Sequence, residues 1–112
     1  MVIGSGIIDI WIVESRSLKE KRGVLSRILK RTQNEFNISV AEIGENDHWK
    51  RAKIGFSVVG NDKRYINSKI DHILRFIDGM QLAEILNTKI EMINVSDMTV
   101  PCHYEEGKYG EY

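Results

Sequence analysis

Seven basic residues fall between positions 16 and 31: Arg16, Lys19, Lys21, Arg22, Arg27, Lys30 and Arg31. Glu20 is the one acid among them, so sixteen residues carry a net +6. That pattern suits phosphate, because clustered Lys and Arg release counterions from a nucleic acid backbone. It also fits a solvated helix face. Its one-sidedness favours the phosphate reading, since ordinary surfaces intersperse both signs. Trp49-Lys50-Arg51 is a second candidate. An aromatic ring beside two cations stacks a base and holds its phosphates. The competing reading folds Trp49 over a sheet edge as part of the core.

The remaining chemistry-bearing residues do not assemble into a reaction. Cys102-His103 is a dipeptide and lacks a ligand spacing such as C-x-x-C. His72 lies off the apolar stripe of its helix and reads as a surface residue. Gly4-Ser5-Gly6 has no following Lys-Ser/Thr and lies inside a strand, so it is no phosphate loop. Its glycines read as room for a closely packed helix. No Ser/His/Asp or Cys/His set stands at a recognisable spacing. No enzyme, metal or cofactor is expected.

The elements that must position the basic run are legible from periodicity. Val2 to Val13 alternates as a strand, with Val2, Gly4, Gly6, Ile8, Ile10 and Ile12 on the inner face. Ser17-Leu18-Lys19-Glu20 is a capping box opening a helix to about Asn34. Leu18, Leu25, Ile28 and Leu29 form its apolar stripe, with Val24 at the border. Lys19, Arg27, Lys30 and Arg31 fall opposite. Lys21 and Arg22 flank the stripe, where their stems cover the core and their charges project. Phe36 to Ile43 and Ala52 to Val59 read as two strands of a hairpin. Asn61 or Asp62 caps a second helix, with Ile66, Ile70, Ile73, Leu74 and Ile77 inward and Gly79 as its stop. Ile85 to Val95 is the last strand, with Leu86, Ile90 and Met92 inward.

This order, β-α-β-β-α-β, predicts an α+β, ferredoxin-like sandwich: a four-stranded antiparallel sheet with two helices on one face. The other face is left open. It would carry Ile7, Trp11, Ile43, Val59 and Ile93, an apolar set that marks an interface. A homodimer through this face or a strand edge is the expected assembly. Trp11 has no aromatic partner on strand three, so base stacking on the sheet itself is not favoured. Acylphosphatases share this fold but need a glycine-rich cradle and a placed asparagine, and neither accompanies Arg16.

The chain has 112 residues and a net charge of zero, with 16 basic and 16 acidic side chains. That length suits one domain, assigned to residues 1–95. Residues 96–112 form an acidic tail of net −3 with three tyrosines, Tyr104, Tyr109 and Tyr112. The tail either covers the open sheet or stays loose. One cysteine allows no internal disulfide. No apolar run approaches the ~20 residues of a membrane span, and the first apolar stretch, broken by Asp9 and without a basic lead-in, does not read as a signal peptide. A cytoplasmic protein with no membrane partner is expected.

Three segments resemble a small bacterial family, the YlxP-like proteins. They are Arg16-Ser17-Leu18-Lys19-Glu20-Lys21-Arg22, Phe36-Asn37-Ile38-Ser39-Val40-Ala41-Glu42, and Asp47-His48-Trp49-Lys50-Arg51-Ala52 with Val58-Val59-Gly60-Asn61-Asp62. The resemblance covers roughly Met1 to Val95. It implies a ferredoxin-like fold and no activity, the family being of unknown function. Its genes commonly neighbour those for translation initiation factor two and ribosome-binding factor A, which tilts the expectation toward RNA. The expected partner is therefore ribosomal RNA or the ribosome rather than DNA. The expected contacts are Lys19, Lys21, Arg22, Arg27, Lys30, Arg31, Trp49, Lys50 and Arg51.

Overall fold

The computed structural model describes residues 1–96. The tail, with Cys102, His103 and its tyrosines, lies outside the described residues. The elements are β1 (Val2–Ile12), α1 (Leu18–Glu35), β2 (Ser39–Gly44), β3 (Arg51–Gly60), α2 (Lys63–Gly79) and β4 (Ala83–Asn94). The four strands form one antiparallel sheet in the order β2-β3-β1-β4. Both helices bury their apolar stripes with one sheet face in a single core. The expected ferredoxin-like arrangement is thus the observed one. No described helix is long and apolar enough to cross a membrane.

β1 and β3 are the two inner strands, and both alternate between a buried and an open face. Ile8, Ile10 and Ile12 are wholly buried, with β3 residues Ala52, Ile54, Phe56 and Val58 beside them. Gly4 belongs to the same face, and a Cβ there would overlap Ile66 Cγ2 of α2. The glycine lets α2 lie close to the sheet. Ile66, Ile70, Ile73 and Ile77 form the buried side of α2.

The caps follow the sequence closely. Ser17 Oγ accepts the Glu20 amide at 3.1 Å, and Glu20 Oε1 accepts the Arg16 amide at 2.7 Å. The Glu thus reaches one residue further back than a standard capping box. Asp62 caps α2 by accepting the Arg64 amide at 3.0 Å.

Three local expectations change. Gly79 is the last residue of α2 and does not turn left-handed; Gln81 does, at φ 58°. β2 begins at Ser39, three residues later than the alternation suggests; Phe36 instead packs edge-on to Phe76 at 5.5 Å. Leu86 is exposed rather than inward. The β1–β4 register shifts between Asp9↔Asn87 and Ile10↔Ile85, leaving Leu86 as an extra residue. Such a bulge switches which parity faces inward. Ile85 points to the core before it, and Ile90 and Met92 after it.

Gly4→Ala should lower stability by about 1–3 kcal/mol through overpacking against Ile66. Urea denaturation measures this, and an unchanged midpoint would show that α2 does not approach as described.

Candidate nucleic-acid interface

α1 makes the basic surface possible by burying only one side of its cylinder. Leu25, Ile28 and Thr32 face the core. At 100° per residue, Lys19, Arg27 and Lys30 lie on the far side. Arg22 projects toward β2, and Arg31 toward the opposite flank. Lys19, Arg22, Arg27, Lys30 and Arg31 are all exposed. Among the described residues none of these five has a carboxylate within ion-pair distance. Glu20, the local acid, already accepts the Arg16 amide.

Lys21 is a correction to the expected contact set. It is 1% exposed, and its ammonium does not project. Nζ donates to the carbonyls of Glu45 and His48, each at 2.6 Å, and lies 3.7 Å from Glu42 Oε2. Two of its protons are thus given to carbonyls, and the nearby Glu42 carboxylate supplies a countercharge, which together offset the cost of burying it. The signal was present in the sequence. On the helical wheel Lys21 lies between Leu25 and Ile28, inside the apolar stripe rather than beside it.

The carbonyls that Lys21 holds belong to the β2–β3 loop, residues 45–50. Ser15, also wholly buried, directs Oγ to the carbonyls of Trp49 at 2.6 Å and Ser17 at 3.0 Å. The Ile12 amide donates to the Lys50 carbonyl at 2.7 Å. Within the loop, His48 Nδ1 accepts the amides of Lys50 and Arg51, each at 3.1 Å. Neither Ser15 nor the acceptor role of His48 is evident from residue type or spacing.

This clamp presents Trp49 outward, 43% exposed, instead of folding it over the core. Lys50 Nζ lies 5.6 Å from the ring centres of both Trp49 and Trp11, and 3.3 Å from the Val13 carbonyl. The His48 ring stands 6.1 Å from Trp11. An exposed aromatic group with a cation thus sits at the N-terminal end of α1.

Arg51 is not part of that surface. It pairs in register with Trp11 on the open sheet face, and its guanidinium lies 3.6 Å from Asp9 Oδ2. Asp9 Oδ1 and Arg51 Nε, both buried, lack hydrogen-bond partners. Ile7, Ile43, Val59 and Ile93 are exposed on the same open face, with Trp11 half-buried. The structure therefore separates the expected residues into two surfaces. One is the outer side of α1 with the clamped loop, and the other is the open sheet.

The fold resembles a solved de novo designed protein with a ferredoxin fold, LFR1 1, at TM-score 0.52 and 12% identity, across 96% of this chain and 99% of that one. In sequence, the chain is 39% identical over 90 residues to the uncharacterized protein YlxP of Bacillus subtilis (strain 168), covering 80% of this chain and 98% of the relative. Residues 3–90 match the model of a protein family of unknown function, DUF503. The match takes in α1, the clamped loop and most of β4, so the chain belongs to the DUF503 family.

Proposed function

We propose that this protein is a non-enzymatic RNA-binding protein, with ribosomal RNA as its partner, that reads phosphates along α1. The carrying observation is the row of five exposed cations, Lys19, Arg22, Arg27, Lys30 and Arg31, without carboxylate partners among the described residues. Unpaired exposed cations on a neutral protein are free to replace the counterions of a polyanion. Trp49 with Lys50 adds a stacking platform at the end of that row. Single-stranded or looped RNA fits better than duplex DNA, because unstacked bases reach an exposed ring.

Anisotropy titration of labelled ribosomal RNA fragments tests this. Affinity should fall with salt at a log–log slope of about −0.7 per contacted phosphate, hence about −3.5 for five contacts. Changing Lys19, Arg27, Lys30 and Arg31 together to Glu should abolish binding. Absence of binding at low salt would overturn the proposal.

A second reading concerns the open sheet. Ile7, Ile43, Val59 and Ile93 are exposed there. The charges on that face balance: Asp9, Glu84 and Glu91 against Arg51, Lys53 and Lys89. A second copy of the chain can therefore face it without net repulsion, burying the aliphatic groups. The two readings are compatible along α1, which lies on the other layer, and the surfaces meet only where Lys50 reaches Trp11 at the end of the sheet. Light scattering should give a dimer mass that the double change Ile7→Lys, Val59→Lys reduces to a monomer. A monomeric wild-type chain at high concentration would dismiss this arrangement.

A further inference from the structure

On the flank of α1 away from β2 lies a cavity of about 470 Å³, within the ordinary range of small-ligand sites. Val13, Val24 and Leu82 supply apolar lining. Two other lining residues contradict their local backbone preferences, in opposite senses. Gly23 stands in mid-helix, where glycine is the poorest choice after proline. No packing demands it, since a Cβ there would meet nothing within 4 Å. Gln81 holds a left-handed conformation, φ 58°, where glycine would be the unstrained choice. Local preferences give way at functional sites more than elsewhere. Here one substitution keeps the helix wall bare, and the other places an amide-bearing residue at the rim.

The charged lining completes the argument. Arg27, one of the proposed phosphate contacts, also lines this cavity, as do Glu14 and Glu20. Glu20 Oε1 already accepts the Arg16 amide, whereas Glu14 has no ion-pair partner among the described residues and keeps both oxygens open. A carboxylate accepts two parallel N–H bonds. Among the common bases, guanine offers two adjacent donors, N1–H and N2–H₂, on its Watson–Crick edge. A guanidinium plane such as that of Arg27 stacks on a base. We infer that the cavity beside Gly23 receives one unpaired guanine of a single-stranded RNA, read by Glu14 and covered by Arg27. This rests on the RNA-binding reading and deepens it: α1 holds the phosphates, and the cavity selects a base.

The test uses the full chain and the variant Glu14→Gln, at an exposed position outside the helices and the sheet, so folding is not at risk. The probes are guanosine 5′-monophosphate, followed by amide NMR shifts, and a short uridine strand with or without one central guanine. The nucleotide should shift the amides of Gly23, Arg27 and Gln81. The guanine strand should bind about tenfold tighter, the low end of what a bidentate base contact supplies. Glu14→Gln should remove both effects and leave the salt-dependent binding of the uridine strand. Equal binding of both strands, with no nucleotide shifts, would overturn the cavity proposal and leave the RNA reading standing. If neither strand binds but the nucleotide shifts survive and vanish in Glu14→Gln, the cavity stands and the RNA reading falls. No binding of any probe would remove both.

Discussion

The ammonium of Lys21 is the constraint on which the functional end of this molecule depends. A buried cation is costly unless it is hydrogen-bonded and a countercharge stands near. Lys21 meets both conditions only if the β2–β3 loop comes to it, since two of its acceptors are the Glu45 and His48 carbonyls. Glu42, at the end of β2, supplies the countercharge at 3.7 Å. One side chain from the first turn of α1 thus fixes where the hairpin turns. Ser15 and the Ile12–Lys50 backbone bond extend the same anchorage to β1. The loop's positive-φ residue, Glu45, is tolerated because its carbonyl is bound there.

The consequence is a division of labour between two layers. The helix layer carries the unpaired cations and, through the clamp, the outward Trp49. The sheet layer carries exposed aliphatic groups and balanced charges, with Arg51 and Asp9 turned toward each other. A chain of zero net charge therefore contains one surface of strong positive potential. Averaging hides this, since solution partners respond to local potential rather than to the sum.

Strand alternation in β1 and β3, the Ser17 capping box and the α2 isoleucine stripe could be read from the sequence because each is a local rule. What escaped it was produced by tertiary partners. Leu86 reads as inward until the bulge shifts its register, and nothing in residues 83–94 announces that extra residue. Gly79 reads as a stop, yet the chain reverses two residues later at Gln81. Trp49 reads more readily as core than as surface, and the carbonyl contacts beneath it turn it outward. Lys21 is the instructive case. Its wheel position lay within the buried stripe, but the general rule that lysines project outranked it. The site was thus half legible: the exposed cations of α1 were, the hidden one that builds the loop was not.

Lys21 holds the β2–β3 loop in place. Native-state amide hydrogen exchange on Lys21→Met measures it residue by residue. The change leaves two part-buried carbonyls and Glu42 without their partner, a loss of about 3 kcal/mol. Protection at the His48, Lys50 and Arg51 amides should fall by roughly a hundredfold, while Ile8, Ile54 and Phe56 in the sheet centre keep most of theirs. Protection unchanged at the loop, or lost equally across the sheet, would contradict the claim.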